Sequence, residues 1–296
     1  MQENKDTKDI REFWNENPVG SNFIDYEQDR SFYTKYDEFR YRTEGHILQE
    51  LDKIDFTGKK TLEIGLGQGA DSMQIIDRGA LYYGIDLTEE SVRRVKERFH
   101  LFDRRYCEVQ VANAEKIPFE DNSFDIVYSH GVIHHSPRID LIVAEIHRVL
   151  KPGGQAVIML YHKNSFNYFI SIGLMRRAGL AMIKVLPFTA RLVSKLTGEN
   201  EERINRHKYH LRKEGASYFR MKNFLHRSTD GPDNIYSSVW TKRSSEKLFH
   251  MFRTITCNVH FLNERHLLGA QHLMPGSLKK AIARRYGWHL WVKAVK

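Results

Sequence analysis

The 296-residue chain has little of what would staple a small secreted module or hold a protein across a bilayer. It contains only two cysteines, Cys107 and Cys257, which cannot build a disulfide framework and lack the spacing of a zinc site. Its first residues, Met1-Gln2-Glu3-Asn4-Lys5-Asp6, carry no apolar signal region, so a reducing cytosol is the expected setting. A membrane-spanning run is missing too. In the apolar region 164–198 the longest charge-free stretch, Asn164 to Met175, has 12 residues, against about 20 for a spanning helix. There is no internal repeat and no low-complexity tract. What remains, 41% apolar and 28% charged, is the composition of a folded globular protein, and the length suits one core domain with an elaboration.

Charge is unevenly spread. Residues 1–160 carry 21 Lys and Arg against 29 Asp and Glu, a balance of −8, whereas residues 161–296 carry 25 against 8, a balance of +17. This asymmetry implies two jobs in one chain. The basic half suits an anionic partner: a phosphate-bearing substrate, a membrane surface or a nucleic acid.

Hydrophobic periodicity divides the chain further. Residues 1–58 read as a helical N-terminal cover, with Phe32, Tyr33, Tyr36 and Phe39 on one helix face and Ile47, Leu48, Leu51 and Ile54 on the next. Residues 59–162 alternate: strands are expected at 61–64, 81–85, 106–111, 124–128 and 155–161, and helices at 69–78, 89–99 and 141–150. That pattern predicts an α/β core with a mostly parallel sheet covered on both faces. The alternation stops near Tyr161. Residues 163–253 read as a basic helical insertion over the core, including a helix at 244–252 capped by Ser244. Residues 254–296 read as closing strands, the last antiparallel and half-buried, with Trp288, Leu290, Val292 and Ala294 on its inner face.

The most informative stretch is Glu63-Ile64-Gly65-Leu66-Gly67-Gln68-Gly69-Ala70-Asp71, which lies between an expected strand and an expected helix. Glycines at alternate positions let the backbone turn tightly and approach a ligand. Gly65, Gly67 and Ala70 also satisfy the looser dinucleotide pattern, with Asp86 where a ribose-binding acid would sit, so a nicotinamide cofactor stays open on this loop alone. Two features point elsewhere. Glu63 sits inside the strand, where a carboxylate holds an ammonium or orders the loop. Further on come Asn113-Ala114-Glu115-Lys116-Ile117-Pro118-Phe119, then Ser123-Phe124-Asp125, then Arg148-Val149-Leu150-Lys151-Pro152-Gly153-Gly154.

With these motifs in this order, residues 59–160 resemble a class I S-adenosylmethionine-dependent methyltransferase. The resemblance is to the type 11 domain, the broad group that includes the ubiquinone and menaquinone biosynthesis enzymes. It implies a Rossmann-like sheet with S-adenosylmethionine as cofactor and S-adenosylhomocysteine as product. Carried onto this sequence, it implies that Gly65, Gly67 and Gly69 surround the methionine moiety while Glu63 orders the loop. It implies that Asp86 accepts from the ribose hydroxyls, that Leu87, Ala114 and Glu115 border the adenine, and that Ser129 and His130 lie near the sulfonium methyl. Leu66 and Gln68 replace small polar residues usual in that group.

His130, His134 and His135 follow the fourth expected strand. An oxygen acceptor that must lose a proton is served by histidine near neutral pH, which makes His130 and His134 candidate catalytic bases. No metal site is expected from these histidines or from His207 and His210. Trp14, Phe32, Tyr33, Tyr36 and Tyr41 form either a lid over the cofactor or the packing of the N-terminal helices. Tyr161 and His162 are expected to face the acceptor. In the insertion, Arg177, Lys184, Arg191 and Lys195 fall on one helix face, with Leu174, Leu180, Ile183, Leu186 and Val193 away from it and Pro187 as a break. Such a helix either lies on an anionic membrane or caps the active site. The reading is thus an enzyme of the cytosol, with peripheral membrane contact as a variant, that methylates a small-molecule acceptor of lipophilic or anionic character. RNA or protein methylation, and cofactor binding without turnover, are the alternatives. A nucleic-acid partner is disfavoured because no RNA-binding module is recognisable. No oligomeric state follows.

Overall fold

The structure, a computed structural model, describes residues 5–20, 26–185, 191, 193–194, 200–262 and 274–296. Its centre is a seven-stranded sheet: β1 Lys60–Ile64, β2 Leu81–Asp86, β3 Glu108–Val111, β4 Phe124–His130, β5 Leu150–Tyr161, β6 Thr254–His260 and β7 His289–Val295. The spatial order is β3-β2-β1-β4-β5-β7-β6. Strands β1 to β5 pair in parallel, and β7 runs antiparallel to both β5 and β6. The order reverses between β1 and β4, which opens a crevice at the carboxyl ends of these strands.

Helices α4 Ala70–Asp77, α5 Glu89–Leu101 and α6 Ile139–Val149 cross between the strands. The α5 start is written locally: Thr88 accepts the Ser91 N–H, and Glu89 and Glu90 stand in the first turn where the helix dipole favours negative charge. In α6 the buried residues Ile139, Ile142, Val143, Ile146 and Val149 recur at helical spacing and cover one sheet face. Strand residues divide by period two. Val127 and Leu290 join one apolar cluster, while Ile126, Tyr128 and Trp291 join the other across the sheet.

Strand β7 departs from the expected half-buried pattern. Leu290, Trp291, Val292 and Ala294 are all buried, because β7 lies between β5 and β6 and both of its faces are covered. The helix after the insertion also starts earlier than expected. Thr241, not Ser244, is its cap; Ser244 closes a capping box three residues on.

The N-terminal residues form α1 Lys5–Glu16, α2 Arg30–Glu44 and α3 His46–Leu51. Asp29 caps α2 by accepting the Phe32 N–H, and Tyr33 donates to the Arg94 carbonyl on α5, which fastens this cover to the sheet. Between β5 and β6 a π-helix at Asn167–Arg176 runs into α7 Arg177–Val185, followed by α8 Glu201–Glu214 and α9 Met221–Thr229. These helices build a separate apolar cluster from Ile172, Leu180, Ile183, Ile204, Tyr218 and Phe224, closed by Trp288. Leu180 and Ile183 are buried, but Leu174, expected beside them, is 60% exposed. The expected positions of Leu186, Pro187 and Lys195 lie outside the described residues.

Candidate active site

A cavity of about 510 Å³ occupies the crevice, within the ~300–1,000 Å³ typical of small-molecule sites. Its floor is the loop between β1 and α4. Gly65, Gly67 and Gly69 have φ of 81°, 53° and 75°, a left-handed run that other residues adopt only with strain. Gly65 and Gly67 line the cavity. Gly69 does not: a Cβ there would stand 3.1 Å from Val95 and 3.2 Å from Arg98, so this glycine lets the start of α4 pack on α5.

Asp86 ends β2 and lines the same cavity. Its carboxylate accepts the Leu66 N–H at 2.7 Å and both the backbone N–H and hydroxyl of Thr88, at 2.9 and 2.7 Å. Burial raises its pKa, and these hydrogen bonds oppose the rise. The group is therefore oriented from behind, tied to the glycine loop it faces. Leu87, Ala114 and Glu115 continue this wall. Glu115 is held by Ser136 at 2.8 Å and Arg138 at 3.3 Å.

Glu63 also borders the cavity, but its carboxyl accepts from Ser72 on α4 and Tyr82 on β2. Burial, then the nearby Asp71 carboxylate, raises its pKa to about 8. A largely protonated carboxyl locked between two hydroxyls orders the loop and is poorly suited to hold an ammonium. The charged carboxylate here is Asp71. Burial would raise its pKa, but Arg40 and the hydrogen bonds from Arg40 and Tyr128 outweigh that and hold it at about 2. Arg40 reaches Asp71 through two bonds of 3.1 and 2.8 Å, and Tyr41 and Tyr128 donate to the same carboxylate.

The three histidines past β4 occupy different places. His130 lines the cavity, and its Nδ1 accepts from Arg40 at 3.3 Å. Burial, then the Arg40 charge, lowers its pKa to about 3, so the ring is neutral with its hydrogen on Nε2. Nitrogens of His46, His130 and His289 lie within 4.8 Å of one another, and His46 Nε2 and His289 Nδ1, 2.9 Å apart, share a hydrogen bond. His134 is fully buried, lies against Tyr161 with ring centroids 4.0 Å apart and is not among the lining residues. Burial pushes its pKa well down. Ser129 is likewise withdrawn, donating to the Ile64 carbonyl inside the sheet. His135 does line the cavity. Its Nδ1 lies 2.8 Å from the Tyr236 carbonyl, which makes Nδ1 a donor, and its Nε2, without a hydrogen-bond partner, lies 3.6 Å from Asp230.

The remaining walls come from the cover, the end of β5, the insertion and the segment before β7. Trp14, Tyr36 and Phe39 line the cavity from the N-terminal helices, whereas Phe32 and Tyr33 pack inside the cover. Tyr161, Asp230, Trp288 and Arg176 line the cavity as well. Tyr161 donates to Asp230 at 2.9 Å and stacks on Trp288. His162 turns away, bonded to the Gly287 carbonyl. His207 and His210 lie elsewhere and take separate partners, Tyr218 and Asp233.

Arg40, Asp71 and Asp230 are not expected site residues from the sequence, and Trp288 is expected there only as an inner-face residue of the last strand. Asp71 follows the glycine run by two residues and was within reach of local reasoning; Arg40 and Asp230 carry no local signal.

Residues 62–158 match the family model described as a methyltransferase domain. The chain is 36% identical over 107 residues to phosphoethanolamine N-methyltransferase 2 of Caenorhabditis elegans, covering 36% of this chain and 24% of that protein. It is 33% identical over 116 residues to a sterol 4-C-methyltransferase of the same organism (38% and 34%). It is 32% identical over 104 residues to a fatty-acid O-methyltransferase of Mycolicibacterium smegmatis (34% and 37%). The matched segment thus spans about a quarter to two fifths of these relatives' length. A solved Pyrococcus horikoshii structure aligns over 96% of this chain and 98% of its own, with a TM-score of 0.51 and 19% identity, a likeness of fold alone.

Proposed function

We propose, with residues 62–158 forming a class I S-adenosylmethionine-dependent methyltransferase domain, that the protein methylates a small, lipophilic acceptor. The observation that carries this is the lining of one cavity. The glycine loop, Asp86, Leu87 and Ala114 line it together with Tyr161, Trp288 and Asp230, so cofactor-type and aromatic walls share one space. The residues fit the cofactor. A Cβ on Gly67 would find nothing nearer than Val19 at 3.8 Å, so the loop leaves open space where a ligand can approach the backbone. Asp71 and Asp86 supply carboxylates beside it. When bound, S-adenosylmethionine supplies a methyl group on a positively charged sulfur.

The protein's part is to bind, orient and exclude water. Asp86 and the loop hold the cofactor, and Arg40 and Asp71 neutralise one another in the wall. Tyr161, Trp288 and Trp14 give the acceptor an aromatic surface. His135, with Nδ1–H anchored on a carbonyl and Nε2 without a hydrogen-bond partner, is the group we propose to take a proton from an acceptor hydroxyl or amine, with Asp230 stabilising the resulting charge. An anionic membrane is the expected source of a lipophilic acceptor for a chain whose second half carries a balance of +17. The test is incubation with methyl-labelled S-adenosylmethionine and fractionated cell extract. Label in lipid or small-molecule fractions supports the reading. Label confined to RNA or protein, or no label at all, refutes it.

A further inference from the structure

We infer that the outer face of residues 167–185 docks the protein on an anionic membrane, with the cavity on the inner side of the same segment. This rests on the methyl-transfer reading only for what the docked protein modifies. In the π-helix Asn167–Arg176, side chains four or five positions apart share a face. Asn167 and Arg176 line the cavity and Ser171 and Ile172 are buried, so these mark the inner side. The opposite side presents Phe169, 56% exposed, with Ile170 and Leu174. In α7 the same division continues at α-helical spacing. Leu180 and Ile183 point into the apolar cluster, whereas Met182 and Val185, the latter 76% exposed, face outward.

Single exposed apolar residues are ordinary, but five large ones along the outer side of one helical segment make a contact surface. Arg177 and Lys184 lie seven residues apart, on one edge of that surface by helix geometry. The occupant follows from charge. A second copy of the chain would bring two strongly basic halves together, while an anionic lipid surface accepts the apolar side chains and attracts the flanking cations. Because Asn167 and Arg176 line the cavity from the opposite side of the same helix, docking would leave the cavity about one helix diameter, roughly 10–12 Å, from the lipid.

Co-sedimentation of the full chain with phosphatidylglycerol–phosphatidylcholine vesicles, against phosphatidylcholine alone, tests this. Anionic vesicles should bind the protein, and high salt should weaken the binding. Phe169→Glu with Leu174→Glu should lower partitioning by at least about tenfold, while the circular dichroism spectrum and S-adenosylhomocysteine affinity stay as in the parent. Arg177→Glu with Lys184→Glu should remove the preference for anionic lipid. The inference is overturned if the parent protein ignores anionic vesicles or if the Phe169/Leu174 variant binds them as the parent does. It is also overturned if gel filtration shows a dimer that this variant converts to a monomer without vesicle binding. S-adenosylhomocysteine binding without vesicle binding sinks the docking and leaves methyl transfer standing. Variant-sensitive vesicle binding without S-adenosylhomocysteine binding does the reverse.

Discussion

Adding one methyl group at each of two neighbouring glycines should separate folding from ligand binding. Gly65 has φ 81° and its added Cβ would stand 2.2 Å from Val132 Cγ2 and 2.5 Å from Cγ1. Carbon atoms rest at about 3.5–4.0 Å, so Val132 and the histidine-bearing turn that follows it must shift. The left-handed backbone costs alanine about 1–2 kcal/mol, and overpacking adds roughly 1–3 kcal/mol. Gly65→Ala should therefore destabilise by about 2–5 kcal/mol. Gly67→Ala carries the backbone cost alone, since its Cβ meets only Val19 at an ordinary 3.8 Å. At roughly 2 °C per kcal/mol for a chain of this size, the melting temperature should fall by about 4–10 °C for Gly65→Ala and about 2–4 °C for Gly67→Ala. Binding should still suffer at Gly67, because the new methyl enters the space left for the cofactor. Its S-adenosylhomocysteine affinity should drop by at least about tenfold, or 1.4 kcal/mol. Differential scanning calorimetry and isothermal titration calorimetry give both numbers. Equal losses of melting temperature, or undiminished affinity in Gly67→Ala, would refute the placement of the cofactor on this loop.

Three further outcomes are expected. Asp86→Asn should weaken S-adenosylhomocysteine binding ten- to more than a hundredfold, since hydrogen bonds to a charged group contribute roughly 1.5–3 kcal/mol; calorimetry on folded variant decides it. His135→Gln should cut turnover of the identified acceptor by about 10²-fold or more while leaving S-adenosylhomocysteine affinity within about threefold, and an unchanged rate removes His135 as the proton acceptor. Glu63 has its pKa raised, by burial first and then by Asp71, to about 8. The folded state thus keeps a proton that the unfolded chain loses near its ordinary value of 4.5. Its stabilising contribution is complete at acid pH and is lost as pH rises toward 8. Urea unfolding of Glu63→Gln from pH 5 to 8.5 should fall less steeply than that of the parent; identical slopes would show that Glu63 is ionised in the fold.

What the sequence alone determined is what depends on neighbours along the chain. Strand–helix alternation, the glycine run between β1 and α4, and an acid at the end of β2 are all set within a few residues. The sheet's ligand crevice follows from them, and the cavity forms around Gly65, Gly67, Asp86, Leu87, Ala114 and Glu115. Only the tertiary structure decided the rest, because each remaining feature joins distant segments. His135 is distinguished from His134 by a carbonyl 101 positions away and by the withdrawal of His134 behind Tyr161. Arg40 and Asp71 meet across 31 positions, and nothing local marks Arg40 as the partner that keeps Asp71 charged. The half-buried pattern expected of the last strand failed for the same reason. Alternation reveals a covered face, but insertion between β5 and β6 with helices on both sides buries both. Likewise, helical spacing could show that residues 167–185 have two faces; which face meets the cavity and which meets solvent was settled by the packing of α7, α8 and α9 around Trp288.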